Sequence, residues 1–207
     1  MRLFVLGATG GNGRAFIAQA LERGHAITAF VRSPEKLGVL RERVTIRQGD
    51  PRNEAEVRAA MKGHDAVVSS LGPPGLGRTT IIRDGARCTV TAMQASRIDR
   101  LLIVSSAALF PNVGMLPKIL SRTLLRDVVQ DCAEMERIVT ASQLDWTIVR
   151  PPRLTNGSLT RHYNVEDGRL PSGKVMVSRS DVAHFLLTEL EQHAHSRRIA
   201  GIAGGRS

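Results

Sequence analysis

The chain has 207 residues, of which 42% are hydrophobic and 23% charged, and its formal net charge is +10. These values predict one soluble globular domain, and the apolar runs are far shorter than the roughly 20 residues of a membrane-spanning helix. We expect a cytoplasmic location without a membrane partner, since no signal peptide precedes the first glycines. Because the basic residues are scattered and aromatic residues are few, we do not expect a nucleic-acid partner.

Apolar runs alternate with segments of helical periodicity along the chain. The runs are nearly continuous, as in parallel strands buried on both faces, and lie at residues 3–6, 26–31, 44–46, 66–68, 101–104 and 146–149. The predicted helices are residues 14–23, 54–61, 80–96, 122–141 and 181–191. This order predicts an α/β fold, a Rossmann-type doubly wound parallel sheet flanked by helices, in a single domain over residues 1–207. Glycine and proline content predicts loops at 71–77 and 151–171, and the second is long enough to cover a site.

The first strand leads into glycines at positions 7, 10, 11 and 13, and then into a helix. Glycines allow a tight turn and the close approach of a phosphate, which free N–H groups at the helix N-terminus would bind. The spacing is GxxGxxG rather than the usual GxGxxG. Its place at the start of a strand–helix series predicts dinucleotide binding, and the alternative is a plain strand-to-helix turn.

The second strand ends with Arg32, where many NAD-binding folds carry an acidic residue about 20 residues beyond the glycines. A cation suits the 2′-phosphate of NADP(H), so we expect NADP(H) to be preferred over NAD(H). In the alternative, Arg32 is a surface residue and Glu35 serves the ribose. After the third strand, Asp50 could hydrogen-bond the adenine amino group, or it could cap the helix that begins near residue 53.

Several motifs occur in an order that resembles the atypical short-chain dehydrogenase/reductases. They are GATGGNG, QGD, SSLG, VSSAAL, VRPPRLTNG and SRSDVAHFLL. Within that family, the chain is similar to the NAD(P)H-binding, NmrA-like group that contains NADPH-dependent flavin reductase, also called biliverdin-IXβ reductase. The resemblance covers nearly the whole chain and is weakest over residues 110–130.

The resemblance implies roles for matching residues of this chain. It assigns the pyrophosphate to the glycine loop, at Gly7, Thr9, Gly10, Asn12 and Gly13. It assigns the remaining cofactor contacts to residues that follow the strands: Arg32 for the 2′-phosphate, Asp50 and Pro51 for the adenine, Leu71 and Gly72 for the second ribose, and Ser105, Pro151 and Pro152 around the nicotinamide. Ser106 takes the place of the active-site serine near the nicotinamide and is the catalytic candidate. The pair Ser105 and Ser106 could instead serve only to cap the strand end.

The acceptor pocket is expected in the loops that follow residues 106 and 151. Arg153 stands where the flavin reductases have a histidine, and it keeps a cation at the pocket mouth that gives up no proton at neutral pH. Cys132 stands in the place of a second histidine. Asp131 is a further acceptor-binding candidate, but its helical spacing with Asp127 and Glu134 favours a solvated face.

The chain has one tyrosine, Tyr163, and no lysine follows it at the spacing of the YxxxK motif. This argues against reactions that need a positioned acid, such as ketone reduction. Hydride transfer to a flavin, a quinone or a biliverdin-like tetrapyrrole leaves protonation largely to solvent. We therefore expect an NADPH-dependent oxidoreductase with a small-molecule electron acceptor, with FMN or another flavin among the candidates. The alternative is a non-catalytic NADP(H)-binding sensor that regulates a protein partner.

No metal site is expected, because Cys88 and Cys132 lie in separate predicted helices without the spacing of a ligand set. A disulfide is not expected either in a cytoplasmic chain.

Overall fold

The computed structural model describes residues 1–73, 75, 79–111 and 126–205. Within these residues the chain forms ten strands: β1 (Arg2–Leu6), β2 (Ala26–Val31), β3 (Thr45–Gln48), β4 (Ala66–Ser69), β5 (Arg100–Val104), β6 (Asp145–Arg150), β7 (Arg153–Thr155), β8 (Tyr163–Asp167), β9 (Met176–Ser178) and β10 (Arg198–Gly204). Eight of them form one sheet in the order β3-β2-β1-β4-β5-β6-β10-β8, which is parallel except for the antiparallel edge strand β8. The strands β7 and β9 pair with each other in parallel.

Five α-helices cover the sheet in the described part of the chain: α1 (Gly11–Glu22), α2 (Glu54–Met61), α3 (Ile81–Ser96), α4 (Arg126–Thr140) and α5 (Arg179–Gln192). Buried side chains of α1 and α5 pack on one face, and those of α2, α3 and α4 pack on the other. 3₁₀ turns lie at Pro34–Arg43, where Gly38 interrupts them, and at Ala107–Leu109. Among the described helices, none has the length and apolar character needed to cross a membrane.

The central strand β1 explains why the apolar runs are continuous. Leu3 and Val5 belong to the core on the α1 side, whereas Phe4 and Leu6 belong to the core on the α3 side. Successive side chains of a strand point to opposite faces, so a strand covered on both sides needs apolar residues at every position.

The predicted doubly wound sheet is confirmed, and the six predicted strands and five predicted helices are present. Residues 122–125, the predicted start of the fourth helix, lie outside the described residues. Four strands were not predicted. Residues 151–171, predicted to be a loop, contain β7 and β8, because these short strands gain their partners from β9 and β10, which lie later in the chain.

The strand order places a crevice between β1 and β4. The chain runs outward from β1 through β2 and β3, and then crosses to β4 on the other side of β1. Ligands of such sheets bind beyond the carboxyl ends of the strands at this reversal point. The glycine loop that follows β1 lies there, beside Ser70 that follows β4.

Candidate functional site

The glycine loop packs directly against the backbone that follows β4. Gly7 has a φ of +73°, and a Cβ there would lie 2.5 Å from the carbonyl carbon of Ser70. A Cβ on Gly13 would lie 2.8 Å from the Cα of Ala8. Since backbone atoms cannot move aside as a flexible side chain would, both positions require glycine. The Gly10 N–H donates to the Gly7 carbonyl at 3.0 Å and closes the turn.

Helix α1 begins in this loop with an uncapped N-terminus. Gly10 is the N-cap and contributes no side-chain hydrogen bond, and the first turn holds no acidic residue. The Oδ1 atom of Asn12 is buried and has no hydrogen-bond partner in the described structure. A buried amide oxygen left in this way costs about 1–3 kcal/mol. A dinucleotide fits both features, since its phosphates accept from the free N–H groups and its hydroxyl groups can donate to Asn12.

Arg14 holds the loop in place. Its Nε donates to the Thr9 carbonyl at 3.1 Å, and its guanidinium also donates to the carbonyl of Lys36 in the 3₁₀ segment after β2. Arg14 therefore links the glycine loop to the segment that follows β2, and this link needs no bound ligand.

A cavity of about 470 Å³ lies beside the carboxyl ends of β2 and β3. It is lined by Arg32, Arg52, Thr79, Thr80, Ile81, Arg83, Asp127, Gln130 and Asp131. Two of its arginines have carboxylate partners: Arg52 binds Asp50 at 2.6 Å, and Arg83 lies 3.9 Å from Asp131. Arg32 has no carboxylate within 4.0 Å in the described part of the chain, so its charge is available to a ligand.

Asp50 is engaged by Arg52 through two side-chain hydrogen bonds, of 3.0 and 2.6 Å. These bonds lower the pKa of Asp50 to about 2. The alternative that Asp50 caps α2 is wrong, because Asn53 is the N-cap and its side chain accepts from the Glu56 N–H at 3.3 Å. The adenine contact of Asp50 stays a prediction.

Pro51 and Leu71 pack against α3 at Gly85. A Cβ on Gly85 would lie 2.5 Å from Leu71 Cδ1 and 3.7 Å from the Cβ of Pro51. At Gly72, in contrast, no described residue lies within 4 Å of where a Cβ would stand. The rest of the predicted 71–77 loop lies largely outside the described residues, and the ribose contacts of Leu71 and Gly72 stay predictions.

The two serines after β5 differ in what their hydroxyl groups do. Ser105 donates its proton to Glu136 Oε1 at 2.5 Å, so its oxygen can only accept from a ligand. Ser106 accepts from the Ala108 N–H at 3.3 Å and caps the 3₁₀ turn. Its own proton stays free to donate. Ser106 thus has the capping role that was the alternative for this pair. Its hydroxyl proton remains available as a hydrogen-bond donor at the end of β5.

Behind Ser105 lies a buried ion pair that the sequence analysis missed. Arg150 Nε donates to Glu136 Oε1 at 2.9 Å, and the two side chains are 12% and 7% exposed. The Arg150 guanidinium also lies over the Phe110 ring, 4.5 Å from its centroid. This ion pair could have been suspected from the sequence. The charged Glu136 lies on the apolar face of α4, between Cys132 and Val139, and a charge on such a face needs a partner.

Cys132, one turn before Glu136, is buried, and burial raises the pKa of its thiol to about 12. It therefore stays a protonated thiol at neutral pH. Cys132 cannot supply the charge or the proton that a histidine would supply in its place.

Asp131 is buried, and the expectation of a solvated face is wrong. Its two oxygens accept from the backbone N–H groups of Ile82 and Arg83, at 3.0 and 3.2 Å. Helix α4 packs across the start of α3, so Asp131 caps a helix other than its own. Both oxygens thus position the start of α3, and the acceptor contact of Asp131, which also lines the cavity, stays a prediction.

The segment after β6 begins with the buried Pro151 and the half-buried Pro152, followed by the exposed Arg153 at the start of β7. The Pro151 carbonyl accepts from the Ala107 N–H at 2.9 Å, which joins this segment to the serine pair. The nicotinamide and acceptor contacts predicted for these three residues stay predictions.

A second cavity, of about 290 Å³, lies within the segment after residue 151. Its lining comprises Thr155, Gly157, Ser158, Thr160, His162, Lys174, Met176, Val177, Ser178, Asp181, Gly204 and Gly205. The other part of the expected acceptor pocket, after residue 106, falls mostly on residues 112–125, outside the described residues. No cluster of metal-binding side chains occurs in the described ranges.

Tyr163 is poorly suited to act as a general acid. Its hydroxyl is hydrogen-bonded to His184 Nδ1 at 2.7 Å, and burial raises its pKa to about 12. A catalytic acid works best when its pKa lies near the working pH. The single tyrosine of the chain is thus a packed side chain of β8.

Comparison with known proteins agrees with the nucleotide site that the glycine loop indicates. A family model described as NAD(P)H-binding matches residues 7–193. The chain is 24% identical to the Photosystem II assembly factor Ycf39 of Synechocystis, over all of this chain and 64% of that protein, so it spans less than two thirds of that relative. It is 28% identical to the oxidoreductase stcQ of Emericella nidulans, over 76% of this chain and 67% of that protein.

Among solved structures, the fold is shared with ChuY, an anaerobillin reductase of Escherichia coli O157:H7. The TM-score is 0.83 at 21% identity, and the match covers 99% of this chain and 97% of that chain. At this identity the match demonstrates a common fold only.

Proposed function

The chain belongs to the NAD(P)H-binding family, within the atypical short-chain dehydrogenase/reductases, and from this premise we propose that it is an NADPH-dependent reductase of a planar acceptor. The glycine loop with the uncapped start of α1 is the observation that carries the proposal. It offers unpaired N–H groups and the unpartnered Asn12 oxygen at the reversal point of the sheet, which suits a dinucleotide.

The preference for NADPH over NADH rests on Arg32. It lines the cavity next to β2 and β3, and it has no carboxylate partner in the described structure, unlike Arg52 and Arg83. The 2′-phosphate of NADPH would supply the direct ion-pair partner that Arg32 lacks in the described structure.

When bound, NADPH would supply a hydride from its nicotinamide ring. Ser106 would donate a hydrogen bond to the acceptor or to the nicotinamide amide, while Ser105, whose proton is held by Glu136, would only accept one. Tyr163 is half-buried and hydrogen-bonded to His184, and burial raises its pKa to about 12, so it is poorly suited to act as a general acid. A flavin, quinone or tetrapyrrole suits this site, because solvent can protonate such acceptors after hydride transfer. The name of the fungal oxidoreductase, which is 28% identical to this chain, supports redox chemistry.

The proposal is tested by following NADPH oxidation at the nicotinamide absorbance with FMN, riboflavin, a quinone and biliverdin in turn, and NADH in parallel. We expect turnover with at least one acceptor, faster with NADPH than with NADH. Tight NADPH binding without turnover across the panel would contradict the reductase and favour a non-catalytic sensor with a protein partner.

Replacing Ser106 with Ala should lower kcat about fivefold with the preferred acceptor. The reason is the loss of one hydrogen bond that is made to the reacting groups, worth about 1 kcal/mol. The Kd for NADPH, measured by fluorescence titration, should change less than about twofold, since a bond that raises kcat is made more strongly in the transition state than in the NADPH complex.

The exposed Ser172, replaced by Ala, is the matched control for this measurement and should leave kcat unchanged. Because Ser106 also caps the 3₁₀ turn, both variants are assayed well below their unfolding temperatures. An unaltered kcat in the Ser106 variant would make this serine a structural residue only.

A further inference from the structure

Arg179, the first residue of α5, lies against the glycine loop. A Cβ on Gly11 would stand 2.6 Å from both Cδ and Nε of Arg179. The Arg179 side chain can occupy this space because Gly11 has no side chain. No glycine fingerprint includes this contact, because Arg179 belongs to the last helix of the chain.

The guanidinium of Arg179 has a neutral partner. It donates to Asn156 Oδ1 at 2.6 Å, and no carboxylate lies within 4.0 Å of it in the described residues. Asp181, two residues further on, forms no ion pair with Arg179 and has other partners. The carboxylate of Asp181 accepts from the backbone and hydroxyl of Thr160, from the Arg161 N–H and from Ser178 Oγ.

Two positive groups thus meet at this place without an anion between them. One is the uncapped N-terminus of α1, which carries a partial positive charge of about half a unit, and the other is the Arg179 guanidinium. Most of the five N–H donors of Arg179 remain available beyond the one that binds Asn156. A ligand with at least one negative charge at the loop would satisfy both groups.

We infer that Arg179 binds the pyrophosphate of the dinucleotide that the glycine loop holds, with Asn156 as its positioning residue. This inference rests on the proposed function, because it takes the ligand to be NADPH or NADH. Asn156 directly follows β7, in the segment after residue 151. Through Arg179, the bound cofactor would also hold this segment in place near the expected acceptor pocket.

The inference is tested by measuring the Kd of NADPH, NADH and 2′-AMP for the wild type and for Arg179→Gln by isothermal titration. NADPH and NADH share the pyrophosphate, so the variant should weaken both by the same factor, about 10- to 100-fold. Binding of 2′-AMP, which lacks a pyrophosphate, should not change. Arg137→Gln is the matched control, since it removes the same charge from the exposed face of α4 and should leave all three values unchanged.

A second variant, Asn156→Asp, guards against a folding defect in Arg179→Gln. It keeps the arginine but gives it an internal carboxylate, so both dinucleotides should again bind more weakly and 2′-AMP should bind as before. Unchanged dinucleotide affinity in both variants would overturn the inference, as would an equal loss for 2′-AMP. A wild-type protein that binds 2′-AMP but neither dinucleotide would overturn the proposed function itself.

Discussion

Replacing Arg32 with Glu should weaken NADPH binding about 100-fold and change the Kd of NADH less than about threefold. Arg32 faces the cavity near Asp50, but no carboxylate lies within 4.0 Å of it among the described residues, so the 2′-phosphate would be its direct partner. A hydrogen-bonded charge contact is worth about 1.5–3 kcal/mol, and a glutamate adds repulsion of the phosphate. The preference between the two cofactors should therefore reverse, as measured by parallel titrations of the variant.

Arg41→Glu provides the matched control for this experiment. Arg41 is exposed in the same 3₁₀ segment that follows β2, and the substitution makes the same change in net charge outside the cavity. It should shift both dissociation constants only slightly, since exposed charges are screened beyond about 10 Å at 0.1 M salt. If Arg32→Glu weakens NADPH and NADH equally, Arg32 does not bind the 2′-phosphate.

Replacing Glu136 with Ala should lower the free energy of unfolding by about 3–5 kcal/mol. The substitution leaves the Arg150 guanidinium, only 12% exposed, without a carboxylate. Ser105 loses its acceptor at the same time, so its hydroxyl becomes free to rotate. Urea denaturation followed by circular dichroism measures the loss, and a fall in midpoint with an unchanged m-value is expected.

Glu134→Ala on the same helix is the control, because Glu134 forms an exposed ion pair with Arg137. Exposed pairs contribute about 0–1 kcal/mol, so this variant should stay close to the wild type. The double variant Glu136→Leu with Arg150→Met should recover much of the lost stability, since no buried charge then remains unpaired. A Glu136→Ala protein as stable as Glu134→Ala would contradict this account of the buried pair.

The sheet was predictable where burial leaves a strong local pattern. Strands such as β1 and β5 are apolar at every position after their first arginine because helices cover both of their faces. The edge strand β8, with the sequence YNVED, is half-exposed and polar, and β10 contains two glycines. Such strands depend on the partner that they meet, and a partner distant in the chain leaves no local signal.

The same distinction holds for the candidate site. The glycine loop was identified because its spacing and its flanking strand and helix are all local. Asp131 and Glu136 were misjudged or missed, since helical periodicity tells which residues share a face but not what that face meets. Asp131 meets the start of α3 and Glu136 meets Arg150, and both contacts follow from how α4 packs. Arg179 was missed for the same reason, because Gly11 lies at the opposite end of the sequence.

Among the helix starts that the structure describes with their caps, α1 stands apart. Acidic residues occupy the others: Glu54 and Glu56 in α2, Asp131 at α3, and Asp181 in α5. Among these described helix starts, the glycine loop therefore offers the attractive end for an anion that diffuses along the carboxyl edge of the sheet. The surplus of arginine and lysine over acidic residues draws such anions toward the protein from a distance. Association of the cofactor would thus be fastest at low ionic strength. Its place of binding would be the helix N-terminus that has no carboxylate.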